Sequence, residues 1–254
     1  MTKSFETVQE AFRLHDEGLN VSQISGVLGV SRMAIRSWFV QPLDAFATRA
    51  AHAPHDADQC QLVRGAPPAE YVYLLGQYLG DGYIHPIGPR GVFKLRIATA
   101  DAYPGIRQRC VESIQSVLPG KKVGFVQSIG CGEVIVHSKH LPCLFPQYGP
   151  GRKHERVIEL TSWQRELVEA HPREFVAALI HSDGCRAINN VVVRGKRYSY
   201  PRYFFNNVST DILMLCAWGF DLLGVEWRQN NWNCLSVAKR DSVAMLDTFI
   251  GPKS

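Results

Sequence analysis

The sequence predicts an α+β chain in which one helix-and-strand unit occurs twice behind a small all-helical unit, and three observations carry that prediction. Two near-copies of a short pattern, Leu74-Leu75-Gly76-Gln77-Tyr78-Leu79-Gly80-Asp81-Gly82 and Val176-Ala177-Ala178-Leu179-Ile180-His181-Ser182-Asp183-Gly184, lie 102 residues apart, each ending an apolar helical stretch in Asp-Gly. The elements that follow the two copies repeat in the same order, as an internal duplication would. Ahead of both, residues 1–40 show helical spacing broken at glycines.

The first unit reads as three helices. Val8, Ala11, Phe12 and His15 fall on one helical face, Gly18 breaks the helix, and Asn20 with Gln23 three residues later is a close variant of the capping box. A second helix runs through Leu28, Gly29 turns the chain, and Ser31 caps a third helix through about Phe39, with Ile24, Leu28, Val30, Ile35 and Trp38 as the core. This cadence reads as a helix-turn-helix, and Ser31, Arg32, Met33, Arg36 and Ser37, near the start and outer face of the third helix, are the candidates for DNA contact. A three-helix core of this kind also serves as a protein-binding module or as packing. Its charge is balanced, so alone it would bind DNA weakly. Residues 41–68 have little periodicity and read as a linker with one short helix around 44–51. Such a tether raises the effective concentration of a weak reader beside a second binding surface.

The duplicated unit is expected over 69–254, with half-repeats at about 69–150 and 168–250. In each motif helix small residues stand four apart, Gly76 with Gly80 and Ala178 with Ser182, and so share a face. Small faces let helix backbones approach closely. Packing one on the other would bring Asp81 and Asp183 together at two helix C-termini, where the macrodipoles are already negative. The repulsion is relieved by protonation or by a shared divalent cation, and hard oxygen ligands suit Mg2+ or Mn2+. A glycine after one helix is only a common stop; two copies with matched small positions make the metal reading worth carrying.

After Asp81 come a strand-like run over 92–99, Asp101, a helical stretch to Val117, a Pro-Gly break, more strand and then Lys139. After Asp183 come a run over 202–209, Asp211, a helical stretch to Leu223, Gly224, more strand and then Lys239. Lys139 follows its aspartate by 58 residues and Lys239 follows its own by 56.

Charge points to nucleic acid. The net charge is +5, and residues 86–160 hold eleven Lys and Arg against five acids. Period-two alternation in Val92-Phe93-Lys94-Leu95-Arg96-Ile97 puts Lys94 and Arg96 on one face and the apolar side chains on the other. The second half has its own basic stretch, Arg194, Lys196, Arg197 and Arg202, and Arg202 shares a face with Asn206, a pair suited to guanine and adenine edges in a major groove. Lys94, Arg96, Arg186, Arg194, Arg197, Arg202 and Asn206 are the candidate DNA contacts of this unit; a basic strand face that only meets solvent is the alternative.

On these motifs the chain resembles the LAGLIDADG homing-endonuclease family over roughly residues 69–250. The resemblance implies a pseudo-twofold pair of αββαββα half-domains, the motif helices at their interface and a curved antiparallel sheet from each half forming a DNA-binding saddle. It makes Asp81 and Asp183 the metal-binding acids and turns the carbonyls of Gly80 and Ser182 toward the metal. Lys139 and Lys239 become the matching candidates for offsetting charge on the cleaved phosphate, with Asp81, Asp183, Lys139 and Lys239 as the catalytic set. Leu79 and His181 depart from the motif, which has an acid there. The expected function is sequence-specific double-stranded DNA cleavage with Mg2+ or Mn2+ by a monomer with internal pseudo-twofold symmetry. The alternative is a transcriptional regulator that keeps the saddle and no longer cuts.

Other classes fare worse. No apolar run approaches the ~20 residues that span a bilayer. The start Met1-Thr2-Lys3-Ser4-Phe5-Glu6 lacks the apolar stretch of a signal peptide, so a cytoplasmic location is expected. Seven scattered cysteines (60, 110, 131, 143, 185, 216 and 234) contain no Cys-x-x-Cys and read as reduced packing residues. His137 with His140, or His181 with Cys185, lacks the second pair that a zinc site needs.

Overall fold

The computed structural model describes residues 5–40, 60–88, 91–251 and 253, with the side chains of Phe5 and Ser37 left aside. The chain divides into two compact units, residues 1–55 with the stretch 87–92, and residues 56–86 with 93–254. The expected helix around 44–51 and the contact assigned to Ser37 lie outside the described residues.

The first unit holds α1 (Phe5–Asp16), α2 (Val21–Leu28) and α3 (Arg32–Phe39). Asn20 caps α2 by accepting from the backbone N–H groups of Ser22 and Gln23, while Gln23 Oε1 accepts from Asn20 N at 2.9 Å, a complete capping box. Gly29 ends α2 at φ 60, a left-handed conformation that favours glycine. Ala11, Leu14, Ile24, Val30 and Ile35 form the core, with Leu28, Trp38 and Phe39 packed against it.

The second unit opens with α4 (Gln61–Gly65) and then repeats one topology. The first half runs α5 (Pro68–Leu79), β1 (Gly82–Ile87), β2 (Val92–Ala100), α6 (Pro104–Val117), β3 (Gly124–Ser128), β4 (Cys131–Ser138) and α7 (Leu141–Leu144). A connection carrying a 3-10 turn, Lys153–Glu155, and α8 (Ser162–Ala170) leads to the second half. There follow α9 (Pro172–Asp183), β5 (Gly184–Val193), β6 (Lys196–Asn206), α10 (Thr210–Leu222), β7 (Arg228–Asn231), β8 (Cys234–Val237) and α11 (Arg240–Asp247). Both halves are αββαββα, and their four-stranded sheets have the same order, β1-β2-β4-β3 and β5-β6-β8-β7. The strand-like runs read from the sequence leave out β1 and β5, each of which starts inside its motif at the glycine after the aspartate; β1 also carries Pro86.

The motif helices are the centre of the unit. Every residue of α5 from Tyr71 to Leu79 is buried, as is every residue of α9 from Phe175 to His181, so each helix is covered on all sides. That is why neither shows a strong amphipathic pattern. Polar side chains inside this core are satisfied across the seam: Gln77 Nε2 donates to Ala178 O at 3.1 Å, and Tyr73 Oη and His181 Nδ1 are hydrogen-bonded at 3.0 Å. His181 Nε2 lies 2.9 Å from Ile250 O. Among the described residues no helix is long and apolar enough to cross a membrane.

Candidate metal and nucleic-acid site

The small faces meet. A Cβ placed on Gly76 would lie 2.6 Å from Ala178 Cβ and 3.1 Å from Phe175 O, and one placed on Gly80 would lie 2.5 Å from Ser182 Cβ and 3.1 Å from Asp183 Oδ2. The glycines after the aspartates are required by a second close approach. A Cβ on Gly82 would lie 2.5 Å from Tyr78 Cα, and one on Gly184 would lie 2.7 Å from Ile180 Cα, because each chain folds back over its own helix as it enters the first strand. Asp-Gly therefore ends both helices for the same steric reason, and the two aspartates leave the seam side by side.

Asp81 is exposed and Asp183 is half-buried. Both carboxyls are nevertheless held above the usual carboxylate range. Burial raises Asp81 first and the charge of Asp183 adds to it, reaching about 6 against the opposing Lys153 and Lys253. Burial also raises Asp183, opposed by Lys153, by a hydrogen bond from Asn207 Nδ2 at 2.8 Å and by Lys253.

The cations acting on these acids are Lys153 and Lys253. Lys153 Nζ donates to the carbonyls of Tyr78 at 2.7 Å, Leu79 at 2.7 Å and Gly80 at 2.6 Å, using all three of its N–H groups on the C-terminal end of α5. Burial pulls its ammonium down to about 8, against the two aspartates that favour its charge. Lys253 Nζ donates to Ser182 O at 3.3 Å at the end of α9, and burial lowers its ammonium too, against Asp81, Cys185 and Asp183. The carbonyls of Gly80 and Ser182, expected to face a metal, thus accept from ammonium groups instead. The physical reason is that two dipole-negative helix ends bearing two carboxylates need positive charge from some source.

Lys139 and Lys239 stand elsewhere. Lys139 is exposed after β4, and Lys239 precedes α11 and is ion-paired with Glu226; neither is among the charges acting on Asp81 or Asp183. Sequence reasoning missed Lys153 and Lys253 although a signal was there: they follow their aspartates by 72 and 70 residues, as evenly spaced as the pair first chosen. Asn207 had no signal.

The sheet faces divide the basic candidates. In β2, Leu95, Ile97 and Thr99 are buried while Lys94 and Arg96 lie on the open face, where Arg96 pairs with Glu133 at 3.1 Å. In β6, Tyr203 and Phe205 are buried, leaving Arg202, Phe204 and Asn206 on the open face. Arg96 Nε and Arg202 Nε are buried without a hydrogen-bond partner among the described residues. Arg186 falls on the opposite face. It sits across from Tyr203 in the β5–β6 register and is held by Asp247 of α11 at 2.8 and 2.9 Å, so strand parity turns it away from Arg202. Arg194 lies in the two-residue β5–β6 turn with φ 49 beside Gly195, and Arg197 is exposed at that end of the hairpin. In the first unit Arg32, Met33 and Arg36 are exposed on α3, whereas Ser31 Oγ is used as the helix cap, accepting from Ala34 N at 3.3 Å.

The residues fit a hard divalent cation. Two oxygen-donor groups converge, and even with two lysines present their carboxyls remain above the ordinary range, so the site can take more positive charge. No protein-family model and no curated protein matches the sequence. The chain is similar in structure to mesophilic variants of the homing endonuclease I-DmoI, at 17% identity and TM-score 0.48 over 72% of this chain and 96% of that one. I-DmoI solved in complex with DNA and Mn is similar at 16% identity and TM-score 0.46, over 72% and 97% of the two chains. The LAGLIDADG meganuclease I-AabMI bound to uncleaved DNA is similar at 14% identity and TM-score 0.43, over 70% and 82%.

Proposed function

We propose that this chain is a LAGLIDADG-type, divalent-metal-dependent DNA endonuclease acting as a monomer on a specific duplex. The single observation that supports this most is the pairing of two raised carboxyls, Asp81 and Asp183, with two lysines at matched spacing on the ends of two helices packed without intervening side chains. Asp81 and Asp183 hold the cation, with Mg2+ or Mn2+ as the expected ion. When bound it supplies Lewis-acid stabilisation and a water of lowered pKa. Asn207 fixes the Asp183 carboxylate. Lys153 and Lys253 place positive charge at the same seam, where negative charge builds on a phosphate during hydrolysis. Lys94, Arg96, Arg202 and Asn206 on the open sheet faces meet the duplex, Arg194 and Arg197 extend that contact at the hairpin end, and residues 1–40 act as a tethered helix-turn-helix reader.

The test is to select bound duplexes from a random pool and incubate them with Mg2+ or Mn2+, comparing the natural chain with Asp81→Asn and Asp183→Asn. Cutting by the natural chain, lost in both variants with binding retained, is the expected result. Selected DNA left intact with either ion would establish the second reading, a binding-only regulator. One observation favours that second reading: Lys153 spends all its donors on the end of α5, so the acids are partly compensated with no cation at all.

A further inference from the structure

A second group of metal-ligating side chains lies away from the aspartates. Cys60, His140 and Cys143 each direct one ligand atom to a common point, the three atoms all lying within 4.8 Å of one another, with Cys60 Sγ and His140 Nδ1 3.4 Å apart. We propose that these three residues bind one Zn2+, with the fourth position open to solvent beside the half-buried His140.

Four features of the cluster favour zinc. The first is distance: tetrahedral zinc, with Zn–S near ~2.3 Å and Zn–N near ~2.0–2.1 Å, separates a thiolate and an imidazole nitrogen by about 3.5 Å. The observed 3.4 Å already sits at that edge. The second is chemistry, since two thiolates and one imidazole select zinc over the hard ions that suit Asp81 and Asp183. The third is charge. Cys60 and Cys143 are both 2% exposed, and two thiolates around Zn2+ make a neutral assembly that tolerates such burial. The fourth is preorganisation of the backbone at each ligand. Cys60 O accepts from Val63 N and Arg64 N at the start of α4, its Sγ makes no capping bond, and His140 O accepts from Leu144 N at 3.0 Å. His140 and Cys143, three apart across the first turn of α7, present to the same side.

The sequence could not have supplied this set, because Cys60 stands 80 residues before His140 and only the fold brings them together. Its consequence is a clamp. The ion would fasten the start of the second unit to α7, and α7 in turn accepts Tyr71 Oη of the motif helix on Leu144 O at 2.6 Å.

The full chain, purified after growth with zinc, is expected to hold about one zinc per molecule by elemental analysis. Replacement with Co2+ should give thiolate-to-metal absorption and the strong visible bands of a tetrahedral site. X-ray absorption on the zinc-loaded natural chain should show two sulfur neighbours and one imidazole nitrogen, a readout independent of any variant's folding. Cys60→Ser, Cys143→Ser and His140→Ala should each lose the stoichiometric zinc, while Cys131→Ser and Cys185→Ser, at exposed cysteines, should keep it. A zinc-free natural chain, an all-oxygen ligand shell, zinc retained in the Cys60→Ser/Cys143→Ser double variant, or a Cys60–Cys143 disulfide in the purified protein would each overturn the proposal.

Discussion

Replacing Gly76 with alanine should destabilise the second unit through one atom. The new Cβ would meet Ala178 Cβ at 2.6 Å and Phe175 O at 3.1 Å, against 3.4 Å or more for an ordinary contact, so α5 and α9 must part by most of an ångström. Neither obstacle is the end of a flexible side chain, which puts the overpacking cost near the top of the usual ~1–3 kcal/mol. Alanine recovers about 1 kcal/mol of helix propensity, leaving a net loss of about 2 kcal/mol. Ala178→Gly alone should cost about 1 kcal/mol for the opposite reason. The double variant removes the overlap, so the two effects should fail to add by about 3 kcal/mol, the overpacking cost itself. Urea unfolding of the full chain, followed by tryptophan fluorescence, measures all three. If Gly76→Ala costs less than about 0.5 kcal/mol, or if the pair is additive, the helices do not meet on these faces and the convergence of Asp81 and Asp183 loses its foundation.

Other perturbations read different parts of the same arrangement. His181 is buried and neutral, its imidazole pulled from 6.5 down to about 4 by burial, so the unfolded chain takes up the proton first on acidification. The stability it confers is whole above pH 6.5 and falls as pH drops toward 4, by at most about 3 kcal/mol; a His181→Leu variant whose unfolding free energy keeps the same slope over that window would refute this. Lys153→Met strands three carbonyls and Lys253→Met strands one, so the first should lower the unfolding midpoint in urea well beyond the second. Arg96→Ala and Arg202→Ala should each flatten the salt dependence of DNA binding by about one unit of log–log slope, while Arg186→Ala should leave it unchanged because that side chain lies on the opposite sheet face with Tyr203. Equal effects of all three in a fluorescence-anisotropy salt titration would contradict the assignment of faces.

What was legible in the sequence was whatever local chemistry repeats. Gly76, Gly80, Ala178 and Ser182 declared a close helix pair because small residues four apart have few other uses, and Asn20, Gln23, Gly29 and Ser31 declared helix ends because capping is decided within three or four residues. Strand alternation gave the open face of β2, where burial follows a period of two. It said nothing of Arg186, named only for its charge, because parity there is fixed by pairing with Tyr203 rather than by any pattern in β5 itself. The lysines beside the aspartates are not the pair that spacing picked out: spacing alone offered two evenly placed pairs, and only the path of the chain after α7 and α11 returns Lys153 and Lys253 to the helix ends. Contacts set by distant segments, such as Cys60 with His140 or Asn207 with Asp183, left no local trace.

The acid pair is the place where the chain's local rules and its stability conflict. A carboxylate at a helix C-terminus is unfavourable, a second one beside it is worse, and burial raises the cost of both. A sequence selected for folding alone would carry asparagine at these positions, which keeps the hydrogen-bonding shape without the charge. Asp81→Asn and Asp183→Asn should therefore raise the thermal midpoint of the metal-free protein at neutral pH, and Mg2+ should stabilise the natural chain while leaving the variants unmoved. Strain concentrated on two convergent acids is what a site for a cation requires, because the ion's binding energy comes from the repulsion it removes. If both asparagine variants are less stable than the natural chain without metal, the lysines already satisfy the acids, and the seam is a finished ion-pair network instead of a site awaiting a cation.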